Sequence, residues 1–559
     1  MTKYAFEILF LLLLASSLAV YTLYRSEPSG DPITAPIETS KKLLLLPLDG
    51  RPPCKSDVIE RGRLVGYEVI TPPADISDYY TKKADTKALE EFLEVHIDEA
   101  DFVLLSMDCL LYGSLLASRE GDVGENDLTS SLEFLRRLHV KHPNIPIEAF
   151  FILPRLAPPA AVEDYFDNKN LIEYSKHIDR YTLTGDENDA RCITELEKSI
   201  SPDARNLYLR RFEENERIAH ALIDMTQDGT LTRLWIGQDD GAVYSIGNLE
   251  KRRLQERLAR ESIPGERVAI LHGADELALT MLTAHEANAA AYSPRIYLDY
   301  NHPATPDAVL PYMAISMEQA AKEKIHLLGG KVVSDLEDAD LILYLSEGST
   351  ETLSSRRTAA KKIKEYLTSG IPIALVDLSE HFLAEETIFP FLLELSVPLH
   401  ALTSYAGWNT TSNSVGTALS DALLYQIALS RATDDDACLA IIREHIAILD
   451  ASFIEDYYYL KDVIDLINTG LKTQGYKNVN DLDLSGNYLW AAARLQELLV
   501  ERSNTLAATQ AYRAPFSVSS SMGNYTLRTN TLRIDASFPW PRTFEIYLRV
   551  IPAVLWIRQ

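Results

Sequence analysis

The sequence predicts an α/β protein: parallel βα units in a barrel or open sheet, then a second doubly wound α/β domain and a mixed helical and β C-terminal region. From Lys41 onward, short apolar runs alternate with longer amphipathic stretches, which is the pattern of parallel strands joined by helices. Hydrophobic residues make up 46% and charged residues 24% of the 559 residues, a composition typical of folded globular chains. Disordered, collagen-like and multi-span membrane proteins are therefore excluded.

Ten apolar runs in the body are predicted strands, because they are short and are each followed by a helical pattern. They are Leu43–Leu48, Tyr67–Ile70, Phe102–Ser106, Ile147–Leu153, Arg233–Ile236, Val268–Leu271, Arg295–Leu298, Leu341–Leu345, Ile373–Val376 and His400–Thr403. Amphipathic spacing predicts helices at Thr86–His96, Leu132–Lys141, Asn206–Thr226, Leu249–Glu261 and Thr358–Leu367. The tail adds two strand-like segments, Thr526–Ile534 and Phe544–Leu555.

Ten predicted strands are too many for one eight-stranded barrel, so the chain from Lys41 onward is predicted to form more than one domain. A break near Ser293 and Pro294 separates a first α/β domain, residues 41–292, from a second, residues 293–431. In the second domain, strands and helices alternate in the rhythm of a doubly wound fold. Residues 432–559 are predicted to be mainly helical and to end in strands.

The N-terminus has the features of an export signal. Residues 6–24 are nearly all apolar and lie between Lys3 and Arg25. This length and these flanks predict a signal peptide or a membrane anchor within residues 1–25. Residues 26–40 are rich in Pro, Ser and Thr and are predicted to be a flexible linker. We therefore expect an extracytoplasmic protein, either secreted or held to the membrane through an uncleaved N-terminal segment.

Charge and missing motifs narrow the classes of function. The 54 Lys and Arg residues against 81 Asp and Glu give a net charge of −27, and so acidic a surface repels nucleic-acid phosphates. The four cysteines form no C-x-x-C pair, and the sequence contains no H-E-x-x-H, Walker A, G-x-S-x-G or G-x-G-x-x-G motif. The sequence therefore predicts no nucleic-acid partner, no metal and no cofactor.

Charged residues recur directly after the predicted strands, where parallel α/β folds carry their sites. Isolated aspartates there, such as Asp299 and Asp377, are interpreted as helix caps. Adjacent carboxylates cannot all be one cap, and crowding raises the pKa of one acid beside an ionised neighbour. We therefore predict four catalytic residues, Asp239, Asp240, Asp275 and Glu276. Further strand-end residues predicted to bind substrate are Asp49, Arg51, Asp108, Tyr112, Arg119 and Arg155.

A polar and aromatic stretch at residues 405–420 opens a predicted helix. Trp408 is suited to stack on a sugar ring, while Asn409 and Asn413 offer amide donors and acceptors. All three are predicted substrate-binding residues. The alternative is that Trp408 packs beneath the helix and the neighbouring polar residues cap it, and the sequence leaves both open.

Five stretches of the sequence match the motifs of a bacterial family, in the family's order. They are PLDGRPPC at Pro47–Cys54, MDCLLYGSLLASR at Met107–Arg119, GQDDGAVYS at Gly237–Ser245, HGADELALTMLTA at His272–Ala284 and YAGWNTTSNSVGTALS at Tyr405–Ser420. On these motifs the sequence resembles the domain-of-unknown-function family 4127. The family opening is usually P-L-D-E-R-P, so Gly50 is a departure. The resemblance supports the positions of the candidate residues and implies no particular reaction.

One class of function that fits these residues is a glycosidase-type hydrolase acting on a cell-wall or polysaccharide glycan. Two carboxylates, an aromatic platform and amides are the minimal set for cutting a glycosidic bond. The adjacent Asp pair is also similar to that of substrate-assisted hexosaminidases. In this interpretation Asp240 is the general acid, Asp239 orients or stabilises, and the carboxylates of Asp275 and Glu276 position the sugar.

Arginines after the strands extend this interpretation, because Arg51 and Arg155 can hold hydroxyls or an anionic substituent of the glycan. The alternative class is a metal-dependent hydrolase or a non-catalytic glycan-binding surface protein, since loop carboxylates also suit Ca²⁺ or Mg²⁺. A loss of thermal stability on addition of EDTA would favour the metal-dependent alternative.

Overall fold

The structure is a computed structural model that describes residue 33, residues 35–349 and residues 352–558. The predicted signal peptide or anchor, residues 1–25, lies outside this described part, as do residues 26–32 and 34 of the predicted linker. No helix among the described residues is both long and apolar enough to cross a bilayer. The fold class is the predicted one: parallel sheets with helices, and a C-terminal antiparallel sheet.

The first sheet has six parallel strands in the order β2-β1-β3-β4-β5-β6. They are β1 (Lys41–Leu46), β2 (Tyr67–Ile70), β3 (Phe102–Ser106), β4 (Ile147–Leu153), β5 (Arg233–Gln238) and β6 (Val268–His272). The sheet is open, with β2 and β6 at its edges, so the barrel alternative does not apply. The strand order reverses between β1 and β3, and α/β sheets bind ligands beside such a point.

The second sheet has five parallel strands in the order β8-β7-β9-β10-β11. They are β7 (Arg295–Tyr300), β8 (Lys331–Val333), β9 (Leu341–Ser346), β10 (Ile373–Asp377) and β11 (Ser404–Ala406). The prediction of a strand at His400–Thr403 was wrong, because the buried His400 ring turns to Asp450, whose Oδ1 lies 2.9 Å from Nε2. Strand β8 was not predicted, because it has only three residues and two of them are exposed.

The C-terminal sheet is antiparallel, in the order β12-β13-β14. Its strands are β12 (Phe516–Ser520), β13 (Gly523–Ser537) and β14 (Tyr547–Arg558). The two predicted tail strands correspond to β13 and β14, and β12 was not predicted. The loop between β13 and β14 extends towards the two parallel sheets and reaches the candidate site described below.

Helices connect and cover the sheets. They are α1 (Ser56–Leu64), α2 (Thr86–His96), α3 (Met107–Tyr112), α4 (Leu115–Glu120), α5 (Glu125–Lys141), α6 (Tyr165–Thr184), α7 (Glu187–Ser199), α8 (Pro202–Gln227), α9 (Ile246–Arg260), α10 (Leu277–Ala289), α11 (Met317–Leu327), α12 (Arg356–Leu367), α13 (Phe389–Glu394), α14 (Thr411–Arg431), α15 (Asp435–Ser452), a π-helix (Phe453–Val463), α16 (Ile464–Thr473), α17 (Tyr488–Ala508) and α18 (Gln510–Arg513). Of the five predicted helices, α2 has the predicted bounds and the other four begin earlier. The residues added at the start of α5 and α12 are mostly polar, so the apolar periodicity starts only after them.

One hydrophobic core connects the two parallel sheets. Helices α10 and α14 supply Leu277, Leu282, Val415 and Leu423, which are fully buried. Helix α10 has no polar face because β3 and α1 pack on one side of it and α14 on the other. This packing places the carboxyl ends of the first sheet opposite the second α/β domain.

Candidate functional site

A cleft of about 1460 Å³, open to solvent, lies between the carboxyl ends of the first sheet and the second α/β domain. The first α/β domain, the second α/β domain and the C-terminal region all line it. The first contributes Arg51, Arg119, Arg155, Gln238, Asp239, Asp240, His272 and Asp275; the second, Tyr312, Met313, Phe382, Asn409, Thr410, Ser412 and Asn413; and the loop between β13 and β14, Arg542 and Phe544. Charged groups on one wall therefore face amide, hydroxyl and aromatic groups on the other.

Asp239 and Asp240 follow β5 directly and lie on the cleft wall. The Arg119 guanidinium donates to Asp239, with Nη2 2.5 Å and Nε 3.2 Å from Oδ2. The backbone N–H of Asp240 donates to Oδ1 of Asp239 at 2.8 Å. The Asp240 carboxyl forms no hydrogen bond or ion pair with any residue that the structure describes. Asp239 is thus held in place, whereas the Asp240 carboxyl is available to a ligand.

The two carboxyls have opposite shifts in protonation. Burial and the negative charge of Asp239 raise the pKa of Asp240 to about 7. Burial acts in the same direction on Asp239, but the ion pair and hydrogen bonds with Arg119 outweigh it and keep its pKa below the usual value. At neutral pH the site therefore holds an ionised carboxylate beside a carboxyl that is protonated in a large fraction of molecules.

Arg51 joins the ends of β1 and β6 in a buried network. Its Nη2 lies 2.8 Å from Oδ2 of Asp49 and 2.6 Å from Oδ1 of Asp275, and Nε donates to Oδ1 of Asp49 at 3.0 Å. Asp49 is fully buried and does not line the cleft, whereas Arg51 and Asp275 do. Burial raises the pKa of Asp275, although Arg51 opposes this. These contacts form a fixed floor for the cleft.

Arg155, which follows β4, differs from the other arginines of the cleft. Arg119 pairs with Asp239, and Arg542 pairs with Glu545, whose Oε2 lies 2.6 Å from its Nε. No described residue forms a hydrogen bond or an ion pair with Arg155. Burial and the positive charge of Arg119 lower its pKa, and the negative charges of Asp239, Asp240 and Glu120 offset this only in part.

Glu276 lies away from the cleft that the other three predicted catalytic residues line. Its carboxylate is buried and lies 2.6 Å from Nζ of Lys324 on α11, which is also fully buried. It does not line the cleft. The neighbouring Gly273 has a φ of +109°, and a Cβ there would lie 2.1 Å from Oε1 of Glu276. Glu276 therefore anchors the turn after β6 to the second domain and has no access to a ligand.

Asp108 and Tyr112 are not among the residues that line the main cleft. Asp108 is almost completely buried and accepts a hydrogen bond from the backbone N–H of Ile152 at 2.9 Å. Burial raises its pKa to about 7. The Tyr112 hydroxyl donates to Glu214 on α8 at 2.6 Å. Tyr112 lines a side pocket of the cleft, whereas Asp108 supports β4 from inside the domain.

Residues in the loop after β11 and in the first turn of α14 line different cavities. Asn409 and Asn413 line the cleft, and Asn413 has a buried Oδ1 without a hydrogen-bond partner. Trp408 lines a separate cavity together with residues such as Pro53 and Glu455. Trp408 is therefore not among the residues that line the cleft. The φ of +61° at Asn409 turns the chain between them.

His272, Gln238, Lys251 and Glu323 were not predicted. The His272 ring lies 2.9 Å from Glu323 through Nδ1 and 2.6 Å from Nζ of Lys251 through Nε2. Nζ of Lys251 also donates to Oε1 of Gln238 at 2.9 Å. Burial lowers the pKa of His272, and it lowers that of Lys251 to about 8. The position of His272 at the end of an apolar run was the only signal in the sequence, since Lys251 and Glu323 lie on distant helices.

Two of the cleft carboxylates, those of Asp239 and Asp275, are engaged with guanidinium groups. Across residues 35–349 and 352–558, no group of three or more His, Cys, Asp or Glu side chains is arranged to hold a metal ion. The four cysteines, all within the described part, are free thiols.

The comparisons with known proteins identify a family and no activity. No curated protein matches the chain. The family described as "Protein of unknown function (DUF4127)" matches residues 43–549, which include both parallel sheets and every residue that lines the cleft. The chain therefore belongs to the DUF4127 family.

Proposed function

We propose that this protein is a glycoside hydrolase that acts outside the cytoplasm on a cell-wall or polysaccharide glycan. The feature that supports the proposal most is the pair of opposite pKa shifts at Asp239 and Asp240, on the wall of a large cleft that the Asp240 carboxyl faces without a partner in the described part of the chain. Cleavage of a glycosidic bond needs a proton donor and a carboxylate that stabilises developing positive charge. These neighbouring residues supply both at the pH of most bacterial surroundings.

In the proposed reaction, the protonated Asp240 carboxyl donates its proton to the glycosidic oxygen. The bond between that oxygen and the anomeric carbon breaks, its electrons leave with the oxygen, and positive charge develops on the sugar ring. The ionised Asp239 stabilises that charge, directly or through a group of the substrate that it orients. Water then adds to the anomeric carbon and gives a proton back to Asp240, which restores the acid.

The opposite wall supplies the groups that hold a sugar. Asn409 and Asn413 present amides, and the free Oδ1 of Asn413 is an acceptor for a sugar hydroxyl. Phe382 and Phe544 are aromatic residues of the cleft wall, and such rings pack against the apolar faces of sugars. They take the place that the sequence had suggested for Trp408.

The remaining predicted catalytic residues have positioning roles in this proposal. Asp275 accepts two hydrogen bonds from Arg51 and shapes the floor of the cleft. Glu276 fixes the turn that carries Asp275, through its ion pair with Lys324. Location outside the cytoplasm is supported by the apolar run between Lys3 and Arg25.

A panel of glycans tests the proposal. The purified protein should release new reducing ends from at least one cell-wall or polysaccharide substrate, and Asp240→Asn should abolish this release. Asp338→Asn, at an exposed carboxylate of the second domain, is the matched control and should retain activity. Release that stops on addition of EDTA and returns with Ca²⁺ or Mg²⁺ would favour a metal-dependent hydrolase instead.

A further inference from the structure

A side pocket opens beside Asp239 and shares Arg119, Arg155 and Asp239 with the cleft. It is far narrower than the cleft, with room for about two water molecules. It extends from the end of β4 towards helix α8. Its size and position suit a substituent of a sugar that is itself bound in the cleft.

The charge of the side pocket is opposite to that of the whole chain. Three guanidiniums line it, those of Arg119, Arg155 and Arg211, and its only carboxylate among the described residues is Asp239. Arg119 is paired with Asp239 and Arg211 lies 3.6 Å from Asp122, so the positive charge left unpaired by the described residues of the pocket is that of Arg155, in a chain of net charge −27. Low-dielectric walls strengthen its attraction for an anion.

Arg155 is the arginine of this pocket that is free to bind. Arg119 is engaged with Asp239, and Arg211 donates through Nη1 to the carbonyl oxygen of Gly121. No residue in the described part of the chain pairs with Arg155. A partly buried guanidinium without a partner is costly, and a carboxylate is the anion whose geometry matches its planar donors.

Asn215 on α8 adds an acceptor at the same pocket. Only 6% of its surface is exposed, and its Nδ2 donates to the carbonyl oxygen of Ile152 at 3.0 Å. This bond fixes the orientation of the Asn215 amide, because Nδ2 must face the carbonyl. The remaining polar atom of the side chain is therefore Oδ1. Oδ1 is buried and has no hydrogen-bond partner. It can accept an N–H or O–H from a ligand, in place of a water molecule.

We propose that the side pocket binds a carboxylate substituent of the glycan, so that the substrate is an acidic sugar. The carboxylate pairs with Arg155, and a neighbouring hydroxyl or amide N–H of the same sugar donates to Oδ1 of Asn215. The carbon skeleton packs against Tyr208 and Phe212, the aromatic residues of α8 that line the pocket. This inference rests on the proposed function, because it assumes that the cleft holds a sugar.

Isothermal titration of the wild-type protein with glucuronic acid and with glucose tests the proposal without any variant. The two sugars differ only at C6, where one has a carboxylate and the other a hydroxymethyl group. We expect glucuronic acid to bind about 10- to 100-fold more tightly, as for a hydrogen-bonded charged group. Equal binding of the two sugars would overturn the proposal, and so would stronger binding of glucose 6-sulfate than of glucuronic acid.

Variants of Arg155 test where the carboxylate of glucuronic acid binds. Arg155→Met should remove the preference for glucuronic acid, and Arg155→Lys should retain part of it. The matched control is Arg210→Met on the exposed side of α8, which should bind as the wild type does. An unchanged preference in folded Arg155→Met would overturn the assignment. Binding of glucuronic acid without cleavage of any glycan would reject the hydrolase alone, whereas cleavage without preference for acidic glycans would reject the side pocket alone.

Discussion

The Arg119 guanidinium lies 2.5 Å from the Asp239 carboxylate, and this ion pair separates the protonation states of two adjacent aspartates. The pair connects α4 with the end of β5, two elements that are 120 residues apart in the sequence. Because the Asp240 carboxyl beside it has no partner among the described residues, one residue of the pair is fixed and the other is free to react.

Removal of the Arg119 guanidinium should change the pKa values of both Asp239 and Asp240. In Arg119→Gln the Asp239 pKa should rise, because burial is no longer opposed by a guanidinium. We expect activity to fall about 10²-fold and the acidic limb of its pH profile to move to higher pH. Arg119→Lys should restore part of the activity. A profile of Arg119→Gln that matches the wild type would show that Arg119 does not control Asp239.

The pH dependence of activity should report Asp240. Its pKa of about 7 means that the proton donor is present below that pH and is lost above it, so kcat/KM should fall as pH rises through about 7. The same measurement on Asp240→Asn with an activated aryl glycoside should show no such limb, since its leaving group needs no proton. An alkaline limb that persists in this variant would assign the titration to another group.

Asp108 should affect stability and leave catalysis intact. Its folded pKa of about 7 lies above the ordinary value of 3.8, so the native state binds more protons between these values and stability falls as pH rises through them. Asp108→Asn should reduce this fall in Tm between pH 4 and 7 and should retain activity. Thermal melts across that range and one activity assay check both statements. Loss of activity in a stable Asp108→Asn protein would place Asp108 in the site.

The buried pair of Glu276 and Lys324 should be structural. Lys324→Met leaves a carboxylate uncompensated in a fully buried position, and breaking such a pair costs about 3–5 kcal/mol. The midpoint of urea unfolding should fall accordingly. The double variant Glu276→Leu with Lys324→Met should recover much of that loss. If Lys324→Met is as stable as the wild type, the pair does not hold the two domains together.

Much of the fold was predictable because apolar runs are a local signal. The first six strands, from Lys41 to His272, were recognised to within two residues at each end. Strand β11 was misplaced because the runs around it are short, and its position depends on a buried bond between His400 and the distant Asp450. Strand β8 is short and largely exposed and leaves no apolar signal at all.

The candidate site was predictable only as a set of strand-end positions. Adjacent residues such as Asp275 and Glu276 look alike in the sequence, yet one faces the cleft and the other is buried against a lysine 48 residues away. Trp408 and Asn409 diverge in the same way at a positive φ. Asn215 left no signal, since its role depends on a contact with Ile152, 63 residues earlier. Such pairings follow from tertiary packing and not from spacing.

In the proposed reaction, Asp240 donates a proton to a glycosidic oxygen. The most direct test compares wild type and Asp240→Asn on two substrates of one sugar, an alkyl glycoside whose leaving group needs a proton and a dinitrophenyl glycoside whose leaving group does not. We expect kcat/KM to fall about 10²–10⁴-fold on the alkyl glycoside and much less on the dinitrophenyl glycoside, with an unchanged Tm. Equal losses on both substrates, or none on either, would contradict the claim.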